Sequence, residues 1–252
     1  MGRRKNQKNF LSVIVPSFKQ EKTIQSDLCN IEAVLKKIRY EYELICVVDG
    51  ILDRTFERAN KLKSKKLKVI AYKKNHGKGY AIRYGMKKAK GDIIAFIDAG
   101  MDLDPNGLSM LLEHFEWYNA DIIIGSKRHP VSKVNYPWQR RILSFGYQLV
   151  VKILFDLKIR DSQVGMKFFR KKVLQDVLPR LMVKKYAFDI EMLAVAHRLG
   201  YRRIFEAPIN LEWTEGNSIL ARSLWKTIYQ MLVDTAAIFY RLKILHYYDK
   251  KD

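Results

Sequence analysis

The N-terminal half of the chain alternates short, almost wholly apolar runs with longer segments in which apolar residues recur at a helical period. The apolar runs occupy residues 11–16, 44–48, 67–72, 92–97 and 121–124. Runs of this length without polar alternation are typical of strands buried on both faces of a parallel sheet. The helical periodicity covers residues 21–38, 55–63, 79–90 and 105–118. This alternation predicts an α/β fold with a Rossmann-like, mostly parallel sheet covered by helices.

The second half of the chain returns to the sheet and adds two long amphipathic segments. The elements predicted to continue the sheet are a strand, a helix and a strand, at residues 167–169, 189–199 and 203–209. Residues 136–155 and 219–246 each carry an apolar stripe beside Lys and Arg, which predicts amphipathic helices. The predicted regions are a basic leader, one α/β domain and a basic helical tail, at residues 1–9, 10–215 and 216–252.

The charge of the chain is strongly positive. Its 252 residues include 47 Lys and Arg against 26 Asp and Glu, a net charge of +21. Such an excess predicts an anionic partner: nucleic acid, an anionic membrane surface or a phosphorylated substrate. No stretch reaches the roughly 18–20 apolar residues of a spanning helix, and no apolar segment follows the basic start. We therefore expect a soluble or peripheral protein of the cytoplasm, with Cys29 and Cys46 as reduced, buried thiols.

An acidic segment follows the fourth apolar run. In open parallel sheets ligands bind at the carboxyl ends of the strands, and this rule gathers residues 16–21, 49–53, 75–79 and 98–102 on one rim. Asp98 and Asp102 there supply the hard oxygen ligands that Mg²⁺ or Mn²⁺ prefers beside a diphosphate. The alternative is a solvated acidic turn that leads into the next helix, with Asp104 as its N-cap.

Basic residues border the same rim. Lys78 lies between two glycines at a predicted helix start, where it could meet an anion or form an ordinary turn. Arg128 follows a predicted strand, and Arg140 lies on the next helix with Ser144 one turn beyond. Arginines at such a rim suit a phosphomonoester through bidentate contacts, although a solvated basic face is the alternative.

Taken in order, these segments resemble family 2 inverting glycosyltransferases with the GT-A fold. The resemblance covers roughly residues 10–215 and is carried by residues 12–21, 48–55, 75–79, 96–105, 125–128, 161–167 and 188–191. The last three segments narrow it to polyprenyl-phosphate sugar synthases, the dolichyl-phosphate glucosyl- and mannosyltransferases. The resemblance implies transfer of a hexose from a nucleotide sugar, of UDP-glucose or GDP-mannose type, to a polyprenyl or dolichyl phosphate with inversion.

The resemblance also implies roles for individual residues. Those implied to contact the donor are Pro16, Phe18, Glu21, Asp49, Lys78 and Asp98. Those implied to hold the acceptor phosphate are Arg128, Arg140 and Ser144. Those implied to line the sugar pocket are Gln163, Asp189 and Glu191. The implied catalytic set is Asp98, Asp102, Asp189 and Arg128, with Asp98 and Asp102 as ligands of a divalent cation.

The chain departs from the family pattern at several positions. Gly100 stands where the DxD motif has its second aspartate, which leaves the need for a cation open and makes Asp102 the candidate substitute. Lys19, Gln20 and Val48 also differ from the usual residues, so the base of the donor stays open. The amphipathic helices could bind an anionic membrane surface on its cytoplasmic side or pack on the core.

Two alternative functions remain. The first is a family 2 enzyme that acts on a non-lipid glycan. The second is a nucleic-acid-binding protein, suggested by the charge alone. The acidic rim would repel a phosphate backbone and the sequence carries no nucleic-acid-binding signature, so we expect no nucleic-acid partner.

Overall fold

The computed structural model describes residues 10–135, 138–212 and 224–249, with the backbone alone for residues 138–140 and 224–225. The predicted leader at residues 1–9 and part of the predicted tail, residues 216–223, lie outside the described residues.

The strands are β1 Phe10–Ser17, β2 Glu41–Asp49, β3 Leu67–Tyr72, β4 Ile93–Ile97, β5 Ile122–Ser126, β6 Lys133–Asn135, β7 Met166–Arg170, β8 Ile204–Pro208 and β9 Asn210–Glu212. Seven of them form the sheet at the centre of the molecule, in the order β3-β2-β1-β4-β7-β5-β8. The helices are α1 Ile24–Leu35, α2 Thr55–Asn60, α3 Lys78–Met86, α4 Gly107–Trp117, α5 Trp138–Phe155, α6 Lys171–Val177, α7 Phe188–Arg198 and α8 Leu224–Phe239. The prediction of an α/β fold with a mostly parallel sheet is confirmed.

The central strands are apolar throughout because both of their faces are covered. In β1, Ile14 enters the hydrophobic core on one side of the sheet, while Val13 and Val15 enter the core on the other. In β4, Phe96 enters the same core as Ile14, and Ile97 enters the core on the other side. Successive side chains of a strand point to opposite faces, so two cores require an unbroken apolar run.

Strand β7 is antiparallel to both of its neighbours, β4 and β5. Its register pairs Ile97 with Met166, so the start of β7 lies beside the end of β4. The backbone N–H of Asp98 donates to the carbonyl of Gly165 at 2.9 Å. The loop that precedes β7 therefore reaches the acidic rim, although it comes from the second half of the chain.

The C-terminal segment packs on the domain along one face. Thr235, Ile238 and Leu242 are buried, and Tyr248 in a final 3-10 turn is fully buried. The hydroxyls of Tyr147 and Thr235 lie 2.8 Å apart and join α8 to α5. One face of the predicted tail thus belongs to the core of the fold.

Two smaller expectations are corrected. Helix α4 begins at Gly107 with Asn106 as its N-cap, because the Asp104 carboxylate accepts the N–H of Asn106 at 2.9 Å in a turn before the helix. Cys46 is buried as expected, but Cys29 lies on the exposed side of α1.

Candidate active site

Asp98 lies at the end of β4 in a position that only a glycine neighbour allows. A Cβ atom added to Gly165 would lie 1.8 Å from Oδ2 of Asp98, which is far inside contact distance. The same oxygen accepts a hydrogen bond from Nζ of Lys78 at 2.7 Å. Oδ1 is buried and has no hydrogen-bond partner among the described residues. The carboxylate is thus fixed on one side and keeps one oxygen for a ligand.

Lys78 reaches this carboxylate from the start of α3. Gly77 has φ +101° there, and a Cβ added to Gly79 would lie 2.5 Å from Cβ of Phe188, so glycine lets α3 approach α7. Burial disfavours the ammonium, but the carboxylates of Asp98 and Asp189 outweigh it and raise the pKa of Lys78. The side chain is therefore a cation at neutral pH, placed at the acidic rim as predicted.

Lys167 was not assigned a role from the sequence, and it holds Asp189. It is fully buried in β7, donates to Oδ1 of Asp189 and to the carbonyl of Val164 at 2.6 Å, and lies over the ring of Phe96. Burial lowers the pKa of Lys167, and the Asp189 carboxylate opposes that shift. A lysine inside an apolar strand was the available signal, because a buried ammonium needs a carboxylate partner.

Asp27 contacts the backbone of the acidic loop from α1, a role that was not predicted from the sequence. Its carboxylate, buried in α1, accepts the backbone N–H of Gly100 at 3.1 Å and the Thr23 hydroxyl at 3.0 Å. Burial raises the pKa of Asp27. Gly100 has φ +100° and Met101 φ +61°, so the acidic loop takes an uncommon backbone conformation that Asp27 supports.

The acidic loop is tied on its other side to β9. The carbonyl of Asp102 accepts the N–H of Glu212 at 3.0 Å, and Leu103 pairs with Leu211. Asp98 and Asp102 thus share one loop that is fixed at both ends. Residues 98–102 form the centre of the candidate site.

A divalent cation fits this loop in a limited way. Within the part of the chain that the structure describes, no three His, Cys, Asp or Glu side chains converge as a metal site. Gly100 has no side chain to supply a ligand, whereas Oδ1 of Asp98 lacks a hydrogen-bond partner among the residues that the structure describes. Mg²⁺ is commonly held by one or two carboxylates together with substrate phosphates, and this donor set suits that arrangement.

Asp49 organises the loop that leads to Lys78. Its carboxylate accepts hydrogen bonds from four donors: Tyr72 Oη at 2.8 Å, Asn75 Nδ2 at 2.9 Å, the His76 N–H at 2.8 Å and the Gly77 N–H at 2.9 Å. These contacts set the entry into α3. A contact between Asp49 and a nucleoside stays a prediction.

The other predicted donor residues surround the end of β1. Pro16 pairs with Val47 in the sheet, and Lys19 places its ammonium 5.6 Å from the ring centroid of Phe18. Oε2 of Glu21 accepts the N–H of Arg54 at 3.2 Å. The sheet brings these residues to the same rim as Asp49, and their contacts with a donor remain predictions.

Arg128 and Ser144 lie together, as the acceptor-phosphate prediction requires. Nη2 of Arg128 donates to Oγ of Ser144 at 3.2 Å, and the guanidinium lies 5.5 Å from the ring centroid of Phe145. Arg140 belongs to the first turn of α5, but its side chain lies outside the described residues. Two of the three predicted residues therefore form one cluster between the loop after β5 and helix α5.

Gln163 and Glu191 have different surroundings. Gln163 lies in the loop before β7, and its Nε2 is buried without a partner among the described residues. Glu191 accepts the N–H of Val183 at 2.8 Å and the hydroxyl of Tyr248 at 2.7 Å. On α7 it is about 200° around the helix from Asp189. These contacts bind the C-terminal turn, so the predicted sugar-pocket role of Glu191 gains no support.

Residues 12–178 match the sequence profile of the family described as Glycosyl transferase family 2. The chain belongs to this family. It is a glycosyltransferase, and the predicted family and enzyme class are confirmed.

Similar sequences carry related names. This chain is 33% identical over 254 residues to a dolichyl-phosphate beta-glucosyltransferase of Homo sapiens. The match covers 93% of this chain and 76% of the relative. It is 28% identical over 221 residues to the enzyme of that name from Dictyostelium discoideum, covering 82% and 67%. A dolichol-phosphate mannosyltransferase of Pyrococcus furiosus is 33% identical over 203 residues, covering 79% and 55%.

A similar solved structure shows the fold. Glucosyl-3-phosphoglycerate synthase from Mycobacterium tuberculosis, in complex with Mn²⁺, UDP-glucose and phosphoglyceric acid, superimposes with a TM-score of 0.72 at 17% identity, covering 93% of this chain and 81% of that one. This likeness confirms the GT-A fold of the family 2 glycosyltransferase.

Proposed function

We propose that this glycosyltransferase transfers a hexose, with glucose as the first candidate, from a nucleoside-diphosphate sugar to a dolichyl or related polyprenyl phosphate. The names of its relatives supply the substrate classes. The observation that carries the proposal is the cluster of Arg128 and Ser144 beside Phe145, which is 64% exposed. A guanidinium and a hydroxyl suit a phosphate, and the exposed ring beside them suits a lipid chain.

The proposed chemistry is a single displacement. An oxygen of the acceptor phosphate forms a bond to the anomeric carbon, while the bond from that carbon to the donor diphosphate breaks and its electron pair leaves with the diphosphate. Attack from the opposite side inverts the anomeric configuration. A phosphate monoester is largely ionised at neutral pH, so no general base is required. Catalysis then depends on positioning and on electrostatic stabilisation of the leaving group.

The residues of the rim take distinct parts in this proposal. Lys78 meets the departing diphosphate beside Asp98, with which it forms an ion pair of 2.7 Å. Asp189, held in place by buried Lys167, orients the sugar. Oδ1 of Asp98 would hold a divalent cation together with the diphosphate, with Asp102 as a further oxygen ligand. When bound, that cation supplies Lewis-acid stabilisation of the leaving group.

Helix α5 supports a place at a membrane surface. Ile142, Phe145, Leu149 and Ile153 follow one face of the helix and are 62%, 64%, 50% and 72% exposed. The chain carries a net charge of +21. An exposed apolar stripe on a basic protein suits docking at the headgroups of an anionic leaflet, and we place the enzyme on the cytoplasmic face. In the described part of the chain, no helix combines the length and apolar character needed to cross a bilayer.

A substrate panel tests the proposal. UDP-glucose, UDP-N-acetylglucosamine and GDP-mannose would each be incubated with dolichyl phosphate in detergent, with and without Mn²⁺. We expect a lipid-linked hexose from one donor and an inverted anomeric configuration. Arg128→Ala should raise the acceptor KM far more than the donor KM, whereas Arg202→Ala, at an exposed site in a different loop, should change neither. Transfer to a soluble glycan alone would show the non-lipid alternative to be correct.

A further inference from the structure

The carboxylate best placed to hold a cation is already paired with a cation of the protein. Nζ of Lys78 lies 2.7 Å from Oδ2 of Asp98, and the side chains are 25% and 36% exposed, so the pair faces a space that a ligand can enter. Gly165 packs against that same oxygen. Through Oδ2 the ammonium therefore offsets the negative charge of the carboxylate at the centre of the site, while Oδ1 is the oxygen that would hold a cation.

The rest of the acidic loop supplies few ligands that would favour a divalent cation over this ammonium. Gly100 stands where a second carboxylate would strengthen a cation site, and the described residues contain no cluster of three ligating side chains. A protein with fewer carboxylates around a cation depends more on the diphosphate to bind it. The ammonium of Lys78, by contrast, is part of the protein and is present whether or not a diphosphate is bound.

Two main-chain amides in the first turn of α3 are already bonded within the protein. The N–H of Tyr80 donates to the carbonyl of Lys184 at 3.0 Å, and the N–H of Ala81 donates to Gly77 at 3.1 Å. These amides of the first turn are used inside the protein. The charge that a diphosphate meets here is the ammonium of Lys78.

We infer that Lys78 is a built-in counter-ion for the donor diphosphate and that it competes electrostatically with a divalent cation for the negative charge of Asp98. The inference rests on the proposed function for the identity of the donor. It extends that function, because it assigns part of the neutralisation of the leaving group to the chain itself. The enzyme should then bind its nucleotide in the absence of metal.

Nucleotide binding tests the first half of the inference. UDP and GDP would be titrated calorimetrically into the full chain, once in excess EDTA and once in Mn²⁺. The unsubstituted protein should bind one nucleotide in EDTA, and Lys78→Met should bind it about tenfold or more weakly there, a loss of about 1.4 kcal/mol. Mn²⁺ should restore most of that affinity. Equal affinities of the two proteins in EDTA would overturn the inference.

Two further variants guard this comparison. Lys78→Arg keeps the charge and should retain most of the binding in EDTA, which a general structural defect at the start of α3 would not allow. Lys87→Met removes an exposed lysine just beyond the other end of α3 and should bind nucleotide like the unsubstituted protein.

Binding of Mn²⁺ alone tests the competition and needs no activity. Measured by electron paramagnetic resonance without nucleotide, Lys78→Met should bind Mn²⁺ several-fold more tightly, because no ammonium then offsets the negative charge of Asp98. Unchanged affinity would refute the competition. If no nucleotide binds to the unsubstituted protein under either condition, the proposed function fails, yet the Mn²⁺ measurement still decides whether Lys78 competes for Asp98.

Discussion

At the scale of single residues, the position of Asp98 depends on the absence of a side chain at Gly165. We expect Gly165→Ala to displace the carboxylate, because the new Cβ would lie 1.8 Å from Oδ2. A displacement of about 1 Å in an active site can cost on the order of 100-fold in rate. Overpacking adds about 1–3 kcal/mol of instability. Transfer assays and thermal unfolding of the purified variant measure the two effects separately.

Gly146→Ala is the matched control. In the described part of the chain, no atom lies within 4 Å of a Cβ added there, in the middle of α5. Replacing a helical glycine in open space should raise stability by about 0.5–1 kcal/mol and leave transfer in detergent unchanged. Full activity of Gly165→Ala would show that the reaction does not depend on the position of the Asp98 carboxylate.

The buried pair of Lys167 and Asp189 makes a second prediction. Lys167→Met leaves the Asp189 carboxylate buried without its partner, which costs about 3–5 kcal/mol of unfolding free energy. The double variant Lys167→Met with Asp189→Leu replaces both charges by apolar groups and should recover most of that loss. Urea unfolding measures each value. A double variant as unstable as the single one would mean that the charge pair does not explain the cost.

At this scale, the sequence predicted the positions of those residues that lie at the ends of strands or helices. The positions of Asp98, Lys78 and Arg128 at the rim were predictable, because each lies at or near the end of a predicted strand or helix. Asp27 and Lys167 were not predicted, since each acts through a partner distant in the chain. The 3.1 Å bond from Gly100 to Asp27 becomes visible only when α1 and β4 are placed side by side.

At the scale of elements, the parallel strands were predicted well and β7 was not. An apolar run predicts a strand buried on two faces, but the run at 167–169 carries no sign of its direction. Its antiparallel placement between β4 and β5 is what brings Gly165 to Asp98. Periodicity likewise showed that α5 is amphipathic and left open which partner covers its apolar side.

The exposed stripe of α5 leads to a prediction about vesicles. Replacing Ile142 and Ile153 together by serine should weaken binding to anionic vesicles at least about tenfold, since each buried methylene contributes about 0.8 kcal/mol. Stability should hardly change, because both side chains are more than half exposed. Co-sedimentation at increasing salt measures the binding. Trp117→Ser, at an 86% exposed residue of α4, is the matched control. Equal loss in the control would mean that the stripe has no special part in docking.

At the scale of the whole molecule, the C-terminal 3-10 turn packs against α7 and joins the end of the described chain to the domain. Tyr248 donates to Glu191 at 2.7 Å, and Arg180 donates to the carbonyl of Tyr248 at 3.0 Å. An ion pair between Arg198 and Asp249 adds a contact at the surface. The sequence predicted an amphipathic tail, but its packing on α7 could not be foreseen, because it depends on a glutamate that was expected in the sugar pocket.

Tyr248→Phe should therefore destabilise the protein in a pH-dependent way. Burial raises the pKa of Glu191 above its ordinary 4.5, and the hydrogen bond from Tyr248 opposes that shift by stabilising the carboxylate. The folded state thus binds the proton more tightly than the unfolded chain, so stability falls as pH rises from 4.5 through the folded pKa. Removing the hydroxyl raises that pKa further and leaves an acceptor unsatisfied. The variant should lose about 1–3 kcal/mol at pH values above the folded pKa of Glu191 and less below it, where the carboxyl group is protonated. Urea unfolding across this range measures the difference, and a penalty independent of pH would show that the hydroxyl does not serve the Glu191 carboxylate.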